Sequence, residues 1–169
     1  MSIVLVRIDD RLVHGQIVQG WLKTIDIDAI LVVSDSAAKD KMQQTLMKMA
    51  LPNAINLYVK SLKDATTSLK GGYYDKENIM ILAAHPSDIL YMMNEGVKIT
   101  SLNIGGMHFI NGKKQLFKNI CVDNEDIKNL YRIYSKGVEV ENRILPEDEK
   151  SNVMNLLEKE YQNICETSK

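Results

Sequence analysis

Apolar residues fall along this chain in two alternating rhythms. Short continuous runs at Ile3–Val6, Ile27–Val33, Asn78–Ala83 and Ile99–Ile104 are too brief for helices. They have the length and density of strands buried on both faces of a parallel sheet. Ile55–Val59 adds a strand with a one-in-two alternation. Between the runs, apolar positions recur at helical spacing. Ile17, Val18, Trp21 and Leu22 cluster on one face of a segment from Gln16 to Lys23; Met42, Leu46, Met49 and Ala50 follow, closed by Pro52. A third helix starts at the capping pair Ser61 and Asp64 and runs through Leu69 to Gly71-Gly72. A fourth carries Ile89, Leu90 and Met93, with Pro86 in its first turn and Gly96 beyond its end.

The C-terminal third keeps the alternation. Lys114–Val122 reads as a loop with a short sixth strand. Asp123 and Asp126 cap a helix bearing Ile127, Leu130, Tyr131 and Tyr134, and Val138–Leu145 forms a last strand. Pro146 then introduces an amphipathic helix bearing Val153, Leu156, Leu157, Tyr161 and Ile164. Strands and helices joined by short connections predict a three-layer α/β/α sandwich around an open, mostly parallel sheet of about seven strands. No repeat, linker or low-complexity tract divides the chain, so residues 1–169 are expected to form a single domain.

Composition narrows the function. A net charge of −1 lacks the basic excess of a nucleic-acid binder. Cys121 and Cys165 fit no metal spacing and are too few for a disulfide framework, so both are expected as reduced thiols of a cytosolic protein. Arg7, Asp9 and Asp10 interrupt any signal-peptide core. The longest apolar runs, Ala29–Val33 and Ile79–Ala84, fall far short of the roughly 20 residues needed to span a bilayer.

The candidate chemistry sits after the first strand, in Arg7-Ile-Asp-Asp-Arg-Leu-Val-His14 with Gly15-Gln16 behind it. In a parallel sheet this loop opens at the C-terminal edge, where ligands bind. Ser34-Asp35-Ser36 follows the second run there and offers helix N-caps. The other two histidines, His85 and His108, follow strands at the same edge. His14 precedes a helix whose free N–H groups favour an anion, and Gly15 lets backbone approach closely. Arg7 and Arg11 each offer a guanidinium fork suited to phosphate oxygens. Positive surroundings would favour a neutral imidazole with a free lone pair, and Asp9 or Asp10 would orient that ring or an arginine. Three other readings compete with a phosphate-accepting histidine. One is an Arg/Asp ion-pair cluster beside a bystander His14. Another is a metal-dependent hydrolase using His14, His85 and His108, although the arginines would repel a divalent cation. The last is a non-catalytic module that binds sugar phosphates. Nucleotide motifs are absent: the stretch from Gly106 to Lys114 has five residues between its glycines rather than four, and lysine where a Walker loop needs Ser or Thr. No cofactor or metal is expected. A phosphate-binding histidine without a nucleotide site suggests relay of phosphate from another protein.

Arg7 through Ile17, with Trp21 four residues on, closely resembles the active-site signature of the IIB components of the mannose/fructose/sorbose family of the bacterial sugar phosphotransferase system (PTS). Asn103-Ile-Gly-Gly-Met-His108 is similar to that family's NxGGMH segment, and Gly137–Pro146 to its C-terminal strand and turn. The resemblance implies a mostly parallel sheet whose final strand is antiparallel. It also implies a phosphotransferase of the cytoplasm, peripherally associated with its membrane transporter. Such a protein takes phosphate from the phosphohistidine of IIA and passes it to a sugar imported through the IIC and IID components. By the same resemblance His14 is the phosphohistidine, modified at Nδ1, and Arg11 stabilises the phosphoryl group. Asp10, Gly15 and Gln16 match the surrounding loop; Ser34, Asp35, His85 and the Gly105–His108 loop would rim the site or face partners. Asn142 departs from the apolar residue expected there and puts the register of the last strand in question.

Overall fold

The structure, a computed structural model, describes residues 2–167. Its main sheet is built from β1 (Ser2–Asp9), β2 (Ala29–Val33), β3 (Asn56–Lys60), β4 (Asn78–Ala83), β5 (Ser101–Gly106) and, after a hairpin, β8 (Glu139–Asn142), in the order β3-β2-β4-β1-β5-β8. Every pairing in it is parallel. The hairpin, β6 (Lys114–Phe117) with β7 (Ile120–Val122), is antiparallel. The helices are a π-helical turn, Ile17–Trp21, running into α1 (Leu22–Thr24), then α2 (Lys41–Ala50), α3 (Leu62–Lys70), α4 (Pro86–Asn94), α5 (Asn124–Ser135) and α6 (Met154–Thr167).

The central strands explain why the sequence shows unbroken apolar runs. All of β2 is buried, and in β4 successive residues serve opposite cores. Ile79, Ile81 and Ala83 pack with α3, α4, α5 and α6, whereas Met80 and Leu82 pack with Ile17, Trp21 and Met47 on the other face. A two-residue pleat period does this directly. The result is a three-layer sandwich whose strand-to-helix loops share one edge. No helix among the described residues is long and apolar enough to cross a membrane, and both cysteines are free.

Four expectations need correction. The last strand is parallel to β5, pairing Ser101 with Glu139 through Ile104 with Asn142, not antiparallel. The hairpin and α5 return the chain to the starting end of the sheet, and a crossover of that kind delivers a parallel strand. Antiparallel pairing occurs instead in β6–β7 and at a single bridge between Asn142 and Ser151. The strand stops at Asn142 rather than Leu145, and that residue is buried with its amide donating to the Ile104 carbonyl at 2.6 Å. The polar side chain therefore terminates the strand without disturbing its register. The final helix begins at Met154, not beside Pro146, because the Asp148 carboxylate folds the preceding segment back by accepting the N–H groups of Ile144 and Leu145. Ser34–Ser36 does not cap α2: Ser34 accepts the Ala37 N–H in a turn of its own, and Asp40 caps the helix. By contrast, Ser61 and the Asp123/Asp126 capping box start α3 and α5 as the sequence indicates.

Because Ile81 is fully buried in the strand between β1 and β2, Ile81→Ala is expected to cost about 2–5 kcal/mol. Urea unfolding should show a lower midpoint with the slope unchanged.

Candidate active site

β1 ends in the middle of the sheet, between β4 and β5, and its last side chains determine the site. Ile8 points into the core shared by α3 to α6. Arg7 and Asp9, one pleat step away on either side, point toward the layer that holds Trp21 and His14. The chain then turns sharply: Leu12 donates its N–H to the Asp9 carbonyl at 3.0 Å and adopts φ 57°. A left-handed leucine costs about 1–2 kcal/mol, and here it is buried, so packing holds it. The turn folds Arg11 and His14 back over Asp9.

Asp9 is completely buried and uses both oxygens. Oδ2 accepts from Arg7 Nη2 at 2.9 Å and from His14 Nε2 at 2.9 Å; Oδ1 accepts from the backbone N–H and Nε of Arg11, each at 3.3 Å. Burial pushes the Asp9 carboxyl up, but the hydrogen bond and charge of His14, then the charges of Arg7 and Arg11, outweigh it and hold the carboxyl below its usual range. A carboxylate only accepts, so Nε2 carries a proton toward Asp9, and the neutral form of the ring has its lone pair on Nδ1. That nitrogen receives only a long approach, 3.4 Å, from the Gln16 N–H, and the His14 side chain is 14% exposed. Arg11 lies beside it at the surface, 41% exposed, with Nη2 donating to Gln16 Oε1 at 2.6 Å. A Cβ on Gly15 would meet nothing within 4 Å, so the backbone next to His14 faces open space. The arrangement can present a nucleophilic imidazole nitrogen beside a solvent-facing guanidinium and bare backbone.

Arg7 does not reach that space. Its side chain is wholly buried behind Asp9, donating to Asn103 Oδ1, the Arg143 carbonyl at 2.9 Å and the Ile144 carbonyl at 3.2 Å. It orients Asp9 and cannot touch a phosphate. Burial lowers the affinity of its guanidinium for its proton, and Asp9 opposes that effect. Gly105 is what lets Arg7 fit: a Cβ there would land on the Cζ, Nη2 and Nε atoms of the guanidinium. Gly106 is less confined, its Cβ position lying 3.4 Å from Asp9 Oδ1 and 3.4 Å from His108 Cε1.

The other candidates separate into two groups. His108 joins the site's rim: its Nδ1 and backbone N–H are each 2.6 Å from the Asp10 carboxylate. The two consecutive aspartates thus hold different histidines. His85 lies elsewhere along the edge, exposed at the start of α4, in a recess of about 280 Å³ with Ser34, Asp35 and Asp88. Burial raises the Asp88 carboxyl, and the neighbouring His85 opposes it. The three histidines do not converge, and among the described residues no group of three His, Cys, Asp or Glu could hold a metal ion. Sequence reading did not assign Asn103, Glu141 or Arg143 to the site; Trp21 entered only on an apolar helix face and as the residue that closes the signature of the first loop. The available signal was polarity at the wrong place, and only for Asn103, which stands between Leu102 and Ile104; Glu141 lies in a strand that is polar at most positions.

Two outcomes follow from this geometry. Gly105→Ala must displace Arg7 and should cost about 1–3 kcal/mol or more in urea unfolding, whereas Gly106→Ala, whose methyl only touches Asp9 and His108, costs less. Asp9→Asn leaves Arg7 buried without its anion, a loss of about 3–5 kcal/mol at pH 7. Asp9 is held low in the folded protein, so its contribution is present above the unfolded carboxyl pKa of about 3.9 and fades as pH falls through the lower folded value. The stability gap between wild type and Asp9→Asn should therefore narrow only below about pH 4, as followed by urea midpoints across pH.

Comparison with known proteins places these residues in context. The family model described as the PTS system sorbose subfamily IIB component matches residues 3–168. The chain is 38% identical over 157 residues to the fructose-specific EIIB component of Bacillus subtilis (strain 168), covering 93% of this chain and 96% of that protein. It is 36% identical to the mannose-specific EIIAB component of Escherichia coli (strain K12) over 94% of its own length, but spans only 49% of that longer protein. Among solved structures, the IIBSor domain of the sorbose permease from Klebsiella pneumoniae superposes with a TM-score of 0.89 at 34% identity, covering 94% of this chain and 98% of that one.

Proposed function

The chain belongs to the sorbose-subfamily IIB family of the sugar phosphotransferase system, and from that premise we propose that Nδ1 of His14 is the atom that carries its phosphoryl group. A IIB component is a phosphotransferase that takes phosphate from IIA and passes it to sugar. The observation that carries the assignment to Nδ1 is the 2.9 Å hydrogen bond from His14 Nε2 to buried Asp9, which leaves Nδ1 with only the long 3.4 Å approach of the Gln16 N–H.

The transfer balances without a proton leaving the ring. The Nδ1 lone pair attacks phosphorus as the P–N bond to the donor histidine breaks, and its electron pair returns to the donor. The product ring, bearing phosphate on Nδ1 and hydrogen on Nε2, is cation-like, and Asp9 stands against it. Arg11, exposed beside the ring, supplies donors to the phosphoryl oxygens as charge builds on them. In the second half a sugar hydroxyl oxygen attacks phosphorus, the P–N bond breaks, its electrons return to Nδ1, and the hydroxyl proton leaves to solvent or a base. No metal or cofactor enters either half. Donor and acceptor therefore have to meet the same edge in turn: first IIA, then a sugar presented by the membrane components IIC and IID. The joining of A and B in one mannose-specific relative, of which this chain spans about half, supports IIA as the donor. We place the protein in the cytoplasm, bound peripherally to its transporter.

Incubation with phosphorylated IIA should give an acid-labile, alkali-stable adduct. His14→Ala should lose it entirely, and Arg11→Gln should form it about 10²- to 10³-fold more slowly. Label that persists in His14→Ala removes the assignment.

A further inference from the structure

The buried polar groups behind Asp9 extend much further than one ion pair. Glu141 on β8 accepts from Arg143 Nη2 at 3.0 Å and Nε at 3.1 Å, and from Asn103 Nδ2 at 3.0 Å. Because Nδ2 is committed to Glu141, the Asn103 carbonyl oxygen faces the other way, toward Arg7 Nη1. Arg7 in turn holds the same Asp9 oxygen that receives the His14 ring proton. Trp21 closes the assembly: its ring centroid lies 5.3 Å from the guanidinium carbons of both Arg7 and Arg143, and its Nε1–H donates to the Ile144 carbonyl at 3.0 Å. Asn103, Glu141, Arg7 and Asp9 are all buried.

Such a chain is poor value as stability alone, since well-packed apolar side chains of similar volume do as well or better than buried ion pairs. Its geometry, however, is directional. It begins on the edge strand β8, crosses β5 and β1, and ends on one nitrogen of His14.

Resting on the reading of His14 above, we propose that Asn103 and Glu141 are positioning residues for phosphoryl transfer: through Arg7 they fix the Asp9 carboxylate, and thereby keep the His14 proton on Nε2 and the lone pair on Nδ1. Neither residue touches phosphate. If Arg7 loses its Asn103 acceptor, the guanidinium is no longer aimed at Asp9. The carboxylate can then rotate, and the imidazole can place its proton on Nδ1, where it blocks attack on phosphorus.

The test uses the whole chain and separates positioning from chemistry. Nitrogen-15 NMR of the unphosphorylated protein reports the His14 tautomer without any donor. Wild type should be Nε2–H; Asn103→Ala and Glu141→Leu should shift population toward Nδ1–H, and Glu141→Gln, which keeps an oxygen for Asn103, should restore the wild-type tautomer. With phosphorylated IIA, the first two variants should lose about 10- to 100-fold in kcat at nearly constant KM, as small misplacements near a reacting atom do. If both fold and keep the wild-type tautomer and kcat, the inference is wrong even though His14 labels normally. Should either variant fail to fold, wild type alone decides: phosphorylating His14 should shift the Asn103 side-chain amide and Trp21 indole N–H resonances, and unmoved resonances overturn the proposal. Wild type that never labels at His14 refutes the underlying reading instead, while the tautomer measurement stands independently.

Discussion

A buried ion pair, Arg7 with Asp9, fixes the end of β1 and with it everything around the site. Neither side chain has access to solvent. Several kcal/mol of hydration are lost for each such charge unless partners replace the water. Three elements supply those partners. Arg7 is met by Asn103 of β5 and by the carbonyls of Arg143 and Ile144 just past β8; Asp9 is met by Arg11 and His14 from the following loop. The requirement that these charges be satisfied constrains the backbone. It accounts for a glycine at 105, where any side chain would occupy the guanidinium's space. It also gives a reason for the left-handed turn at Leu12, which brings donors from two further residues, Arg11 and His14, onto the same carboxylate.

The sheet makes this affordable by placing the pair where three strands end together. β1 is central and flanked by two buried strands, so its C-terminal residues are roofed by loops rather than by water. The pleat sends Ile8 to one core and its neighbours Arg7 and Asp9 to the other side. Asp10, one residue further and outside the strand, turns to the surface and takes His108 instead. Two adjacent carboxylates thereby acquire distinct surroundings and distinct histidines: one deep with its acceptor nitrogen outward, one at the rim.

Much of this was readable from residue order. The strand runs, the crossovers, the shared loop edge and the loop carrying Arg7, Asp9, Arg11 and His14 all follow from local pattern and handedness. The depth of Arg7 did not, because an arginine at a strand end has the same composition whether it faces solvent or a buried carboxylate. Its burial depends on Asn103 and Glu141, which lie 96 and more positions away along the chain, and on a glycine opposite. The antiparallel direction expected of the last strand came from the family resemblance, not from its residues; four residues carry too little pattern to show which way a strand runs, and the crossover through α5 decides it. The segment after Pro146 misled because proline starts helices and loops alike, and Asp148 settles the matter by capturing backbone N–H groups.

A carrier must hold phosphate loosely enough to give it away, and the sharing of Asp9 bears on that balance. A lone buried carboxylate against the ring would strongly favour the cation-like phosphorylated form and trap it. Here Oδ2 divides its charge between Arg7 and His14, while Oδ1 serves Arg11. The His14 hydrogen bond and the charges of Arg7 and Arg11 keep Asp9 ionised despite its burial, so it remains an acceptor and does not take the ring's proton. For the phosphorylated His14 proposed above, the stabilisation Asp9 offers is therefore divided, as transfer between two phosphohistidines and onward to a hydroxyl requires. On the assignment proposed for His14, the buried arginine sets the strength of the carboxylate, the carboxylate sets the tautomer, and the tautomer sets which nitrogen meets phosphorus.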